Sequence, residues 1–249
     1  MPKSRIAESA GSGTTRRAAL AGLAASALAA PVLAQDKPGP AAGADLQLVL
    51  AVDASGSVNA RRFRLQQLGY ANAFRNPRVI AAITSGLWGA IAVCMFQWTG
   101  PRLQAQVTGW TRLGSAAEIR AYGDFLEQSE RHLFGGGTSI SGAIDHGSSL
   151  FADCPWKAPR RVIDVSGDGH NSSGRDAAQT RDDAVRQGIV INGLPILAIE
   201  YDLDDHFRRE VIGGPGSFMI SARDFESFGE AVTRKLVQEI AGLPGNPPL

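Results

Sequence analysis

Apolar residues along the chain fall in short blocks separated by polar, glycine-marked turns, and the blocks alternate between two periods. Leu46 to Val52 (LQLVLAV) is a near-continuous apolar run, the pattern of a strand covered on both faces. Asn59 to Phe74 has helical spacing, with Phe63, Leu68, Tyr70 and Ala71 apolar among Arg and Gln. Trp88 to Trp98 repeats the buried-strand pattern. Gly100-Pro101 marks a turn, after which Leu103 to Val107 is expected to pair back as an antiparallel edge strand. Ser115 to Gln128 is predicted helical, with Ser115 as N-cap and Glu118 three residues on. A Gly135-Gly136-Gly137 loop opens another helix from Ser139 to Phe151.

Arg161 to Val165 is a predicted strand, and Arg175 to Gln187 a helix ending at Gly188. Ile189 to Ile199 contains a strand whose end Gly193 and Pro195 make irregular. Asp204 to Val211 is a short helix and Ser217 to Ile220 a last short strand. Phe225 to Ile240 sets Phe225, Phe228, Val232, Leu236 and Ile240 on one side of a helix that Gly242 stops. Strands alternating with helices predict an α/β fold, a doubly wound and mostly parallel sheet with one antiparallel edge strand. Such sheets hold ligands at the carboxyl ends of their strands, so chemistry is sought just after each strand.

The N-terminus changes the domain picture. Lys3, Arg5, Arg16 and Arg17 precede an Ala- and Leu-rich run from Ala18 to Leu33, and Ala34 offers a small-residue cleavage point. Residues 1–34 are expected to be an export signal. The Arg16-Arg17 pair resembles a twin-arginine signal but lacks the usual Phe two residues on, so either export route stays open. Residues 35–44 (QDKPGPAAGA) read as a linker and residues 45–245 as one domain. The protein is therefore expected in the periplasm or outside the cell, with no membrane span after the leader. Of 25 Lys+Arg and 24 Asp+Glu, the leader takes four bases and one acid, so the remainder holds 21 and 23. That balance gives no basic field for nucleic acid or an anionic membrane. The two cysteines, Cys94 and Cys154, are expected to be free thiols rather than a disulfide, Cys94 lying in a buried strand.

Three segments carry candidate chemistry. The first strand runs into Asp53-Ala54-Ser55-Gly56-Ser57, one carboxylate and two hydroxyls at alternating positions. Gly135-Gly136-Gly137-Thr138-Ser139 brings another hydroxyl, and Ser166-Gly167-Asp168-Gly169 another acid on a Gly-flanked turn after a strand. Read one at a time, these are helix caps and turn residues. Their oxygens are hard donors, suited to Mg²⁺ or Mn²⁺ and not to zinc.

Together, DASGS, GGGTS and SGDG in this order resemble the metal-ion-dependent adhesion site of von Willebrand factor A domains, over roughly Asp45 to Gly242. The stretches around Val162–Gly169 and Val211–Gly216 resemble a bacterial branch of exported proteins known only as a domain of unknown function. The resemblance implies that Ser55, Ser57 and Thr138 touch the metal through hydroxyls. It implies that Asp53 and Asp168 hold the metal directly or through water. It also implies a binding module rather than an enzyme, whose unidentified protein partner completes the Mg²⁺ (or Mn²⁺) shell with an Asp or Glu. The alternative is a Mg²⁺-dependent hydrolase using the same carboxylates. The motifs add no Asp-x-Asp pair, phosphate-binding base or histidine base to support it.

Five residues outside the motif pattern need their own reading. Asp164 lies inside an apolar strand and needs a partner if ionised. It either supports the metal loops through Ser166 or a serine of the first loop, or pairs with Arg160 or Arg161 for structure. His170 reads as an exposed loop residue. Asp202, Asp204 and Asp205 read as a solvated helix start.

Overall fold

The computed structural model describes residues 43–242. The expected export signal over 1–34, and the linker up to residue 42, lie outside the described residues. Among those described, no helix is long and apolar enough to cross a membrane.

Five strands form one sheet in the order β3-β2-β1-β4-β5. They are β1 (Leu46–Asp53), β2 (Ile91–Trp98), β3 (Gln104–Leu113), β4 (Arg161–Gly167) and β5 (Val190–Pro195). β1 pairs in parallel with both β2 and β4, β4 pairs in parallel with β5, and β3 is antiparallel to β2. The expected mostly parallel sheet with an antiparallel edge is thus the one observed. Every residue of β1 and β2 is buried, whereas most of β3, at the edge, is half-buried or exposed.

Helices cover both faces. On one face Leu46, Leu48, Leu50 and Val52 pack under α1 (Ala60–Arg75), α2 (Pro77–Thr84), α3 (Ala116–Gln128) and α7 (Phe228–Ala241). On the other, Val49, Ala51, Ile163 and Val165 meet α4 (Ile140–Leu150), α5 (Ala177–Arg186) and the segment of α6 (Leu203–His206). The alternation follows from the two-residue repeat of β1. Local chemistry sets the helix starts. Asn59 accepts from Arg62 N, and Ser115 and Glu118 form a reciprocal capping box.

Four boundaries differ from expectation. α2 has no counterpart in the predicted elements, although Asn76 caps it and Pro77 occupies its first turn. β3 runs on to Leu113, because its second half continues the pairing past an irregularity at Met95, where Thr108 Oγ1 accepts from Met95 N (3.0 Å). Residues 217–220 form no strand. They run beside β5 with single bridges such as Gly193–Met219, since Gly214 and Gly216 hold left-handed turns that break the ladder. α7 begins at Phe228, because Asp224 accepts from Ser227 N (2.7 Å) and turns the chain first. Both cysteines are free thiols.

Asp164 takes neither of its expected partners. Arg160 donates to the α7 carbonyls of Glu239 and Ile240, and Arg161 to Gln187 O. Asp164 instead faces Lys235 Nζ of α7 at 2.7 Å, and Lys235 lies 3.4 Å from Glu239 Oε2. Asn192 of β5 closes the cluster by donating to Glu239 Oε1 (2.7 Å) and accepting from Phe218 N (2.8 Å). All three charged side chains are essentially excluded from water. Two acids thus share one ammonium in a low-dielectric setting. Burial drives the Asp164 carboxyl well above its ordinary range, Lys235 opposes this, and Glu239 adds to it.

Lys235→Met leaves two buried carboxylates without a counter-charge, and urea unfolding is expected to show a loss of about 3–5 kcal/mol. A loss below about 1 kcal/mol, the scale of an exposed pair, would show the cluster to be inert. An acid that holds its proton more tightly folded than unfolded makes stability fall as pH rises above its unfolded value of about 4. Asp164→Asn should flatten that decline in urea titrations run from pH 4 upward, and an unchanged slope would contradict the assignment.

Candidate metal centre at the strand ends

Parallel pairing of β1 with β4 sets their carboxyl ends side by side, with Val52 level with Ser166. Asp53, the last residue of β1, is fully buried. Its Oδ1 accepts from Ser55 N (2.7 Å) and its Oδ2 from Asp168 N (3.2 Å). One carboxylate therefore pins two loops. Ser57 Oγ donates to Asp168 Oδ1 (2.5 Å), and Ser55 Oγ lies 3.2 Å from Ser57 Oγ.

The Thr138 loop joins from a distant part of the chain. Gly56 N donates to Gly136 O (3.1 Å), and Ser139 N to Thr99 O (2.8 Å) at the end of β2. Ser172 N and Ser173 N both donate to Thr138 O, at 2.9 and 3.1 Å. Thr138 Oγ1 lies beside Gly169, 3.5 Å from where a Cβ on that glycine would stand. The fold thus brings all five predicted residues, Asp53, Ser55, Ser57, Thr138 and Asp168, to one end of the sheet.

The electrostatics suit a cation. Burial, then the nearby Asp168 carboxylate, push Asp53 up to about 7, against the hydrogen bonds from Ser55 and Asp168 N. Burial likewise raises Asp168, against its bonds to Ser57 and its attraction to Arg62. Asp168 Oδ2 is buried with no hydrogen-bond donor. The nearest positive charge is Arg62 Nη1 at 3.8 Å, whose guanidinium is tethered to Ser57 O (2.7 Å). An unpartnered buried carboxylate oxygen on a group already bonded to Ser57, with Ser55 next to Ser57 and Thr138 beside the following Gly169, is a donor set that a small hard divalent ion fits. Among the described residues, no three His, Cys, Asp or Glu side chains are grouped to hold an ion, so the set depends on its hydroxyls.

The chain matches, over residues 43–244, the family model described as Protein of unknown function (DUF1194). It belongs to that family. No curated protein sequence matches it. Among solved structures it is similar to proximal thread matrix protein 1 from the mussel byssus, at 10% identity and a TM-score of 0.60. The match covers 80% of this chain and 48% of that one, so the chain spans about half the length of the matrix protein. Another structure of that matrix protein has a zinc-occupied MIDAS motif, with 12% identity, a TM-score of 0.57, and 80% and 46% of the two chains covered. A von Willebrand factor type A protein from Catenulispora acidiphila matches at 13% identity and a TM-score of 0.54, over 80% of this chain and 43% of that one. The pilus adhesin SpaC from Lactobacillus rhamnosus GG matches at 16% identity and a TM-score of 0.55, over 80% and 31%. Identities this low establish the fold, which is that of von Willebrand factor A domains.

Several DUF1194 residues at this site carry no motif signal. Gln66 of α1 donates to Asp53 O (3.1 Å), and Arg131 Nη2 to Ala54 O (3.0 Å). Arg62 stands in the first turn of the helix that follows DASGS, the one position where spacing alone points to the site. His170 is half-exposed, as expected of a loop residue, but it is also paired: its Nδ1 lies 2.6 Å from Glu200 Oε2 and its ring stacks edge-on with His206 at 4.5 Å.

Gly136 has φ +107°, and a Cβ there would stand 3.0 Å from Thr99 Oγ1. Gly136→Ala is expected to cost about 1–3 kcal/mol and to displace the carbonyl that accepts from Gly56 N. Thermal unfolding measures the loss; a variant as stable as the parent would show that this loop tolerates other backbones.

Proposed function

We propose that this chain is a metal-dependent protein-binding module, exported by a leader over residues 1–34 to the periplasm or beyond, with residues 45–245 as the binding domain. The observation that carries this reading is the buried, donorless Asp168 Oδ2 on a carboxylate whose other oxygen is bonded to Ser57, with Ser55 next to Ser57 and Thr138 beside Gly169. Mg²⁺ or Mn²⁺ would be held by those oxygens, with Asp53 behind them. When bound, the ion supplies an electrophilic position that accepts a carboxylate from a partner's Asp or Glu.

The residues themselves do the positioning. Both oxygens of Asp53 are engaged by backbone N–H groups, so it orients the loops rather than serving as a free base. That supports binding over hydrolysis. Neutral hydroxyls outnumber carboxylates, which leaves a divalent ion short of charge and receptive to an acid. Phe134, Leu103, Ile199 and Tyr201 are exposed on the segments around the site. Large apolar side chains around a polar centre suit a protein surface. The zinc-occupied motif of the byssus matrix protein and the adhesin among the similar structures point the same way.

Melting temperature in EDTA, Mg²⁺ and Mn²⁺ tests the reading. Metal at a hundred times its Kd stabilises by about 2.7 kcal/mol, a shift of roughly 5–10 °C for a domain of this size. The shift should vanish in Ser55→Ala and Thr138→Ala. A shift retained in both variants would place the metal elsewhere, and no shift in the parent would remove the metal from the proposal.

A further inference from the structure

Glu200 lies in the turn between β5 and α6, outside every motif that marks the site. Its Oε2 accepts from His170 N (2.9 Å) and faces His170 Nδ1 at 2.6 Å. His170 follows Asp168-Gly169 directly, so the carboxylate is clamped to the very loop that carries Asp168. With Oε2 taken by both His170 donors, Oε1 is turned toward Gly169. There it lies 3.6 Å from the point where a Cβ would stand, and Thr138 Oγ1 lies 3.5 Å from the same point. Thr138 Oγ1 and Glu200 Oε1 therefore both border the place where a Gly169 side chain would stand. The Glu200 charge is felt at Asp168, where it adds to the rise caused first by burial.

Resting on the metal-site reading above, we propose that Glu200 is a positioning carboxylate of that site, holding a metal-bound water from the Thr138 side so that the site loads without a partner. A Mg²⁺ or Mn²⁺ ion keeps several of its waters when few protein oxygens reach it. Three hydroxyls and one free carboxylate oxygen leave such waters in place, and each needs an acceptor. Each Asp53 oxygen already accepts one backbone N–H, from Ser55 or Asp168, and the side chain is fully buried. Glu200 Oε1 can accept from such a water, because His170 fixes the carboxylate and its Oε1 borders Gly169, as Thr138 Oγ1 does. Acting through water rather than by direct ligation agrees with the absence, among the described residues, of three acids close enough to share one ion. The extra negative charge offsets part of the ion's own, which raises affinity before any partner acid arrives. A partner carboxylate would take the place of such a water, with Glu200 kept in position by His170.

The test is Mn²⁺ titration of the full chain without partner, read by calorimetry and by the electron paramagnetic resonance signal of free Mn²⁺. The parent is compared with Glu200→Gln, Glu200→Asp, Asp202→Asn and Ser55→Ala. Asp202 is the matched control: it carries the same charge two residues away, is 71% exposed, and sits 3.7 Å from the other His170 nitrogen. Glu200→Gln should weaken Mn²⁺ about 10-fold or more, the scale seen for groups that orient a metal's ligands. Glu200→Asp, which keeps the charge but withdraws it, should weaken Mn²⁺ as well. Asp202→Asn should bind like the parent, and melting in EDTA, recorded for every variant, separates any loss of the His170 clamp from loss of metal affinity. Parental affinity in both Glu200 variants, with binding lost in Ser55→Ala, overturns the assignment of Glu200 and leaves the metal site standing. Equal weakening in Glu200→Gln and Asp202→Asn also overturns it, since net charge alone would then account for the effect. No Mn²⁺ binding by the parent overturns this inference and the metal reading together.

Discussion

Both oxygens of the Asp53 carboxylate accept backbone N–H groups, one from its own loop at Ser55 and one from the β4 loop at Asp168. The side chain is excluded from water, and burial holds its acid constant near neutrality. A buried carboxylate is tolerated only where it is fully engaged. Here the engagement spans two strands, so the loops after β1 and β4 cannot move independently. Ser57 reaches Asp168 Oδ1 only because this clamp sets the two loops in register.

The sheet order makes that clamp available. β1 lies between β2 and β4 with all three parallel, so their carboxyl ends emerge together. Helix entries then begin where these loops end, at Asn59 and Ser139, each capped by its own side chain. The result is a cluster of oxygens at one edge of an otherwise apolar sheet. Burial raises both carboxyls in that setting, and Asp168 Oδ2 is left without a hydrogen-bond donor.

β4 carries two acids with separate tasks. Asp168 stands at its tip and faces the loops. Asp164 lies four residues earlier and faces α7, where Lys235 and Glu239 meet it and Asn192 closes the group. This buried cluster ties α7 to the middle of the sheet, on the face that also holds Tyr70 against Ser166. The strand thus joins a polar anchor below with a cluster of oxygens above, and among the described residues no hydrogen bond runs directly between Asp164 and the loops after β1 and β4.

What the sequence by itself determined was local. The apolar run of β1, the helix spacing of α1 and α7, the Ser115–Glu118 cap and the three motifs all act over one to four residues, and such periods and caps are readable from composition in order. The fold class followed from their alternation, and the five candidate oxygen donors were proposed from motif order. Only the tertiary structure decided which distant groups met. Lys235 rather than Arg160 or Arg161 faces Asp164, because the apolar stripe of α7 rotates Lys235 inward over β4. Glu200 reaches His170 because β5 lies beside β4 and its following turn passes over the Asp168 loop. Residues 217–220, strand-like in composition, form only isolated bridges, because glycine turns before them break the ladder. Each outcome depends on which faces pack together, and a pairing between faces has no period in the chain.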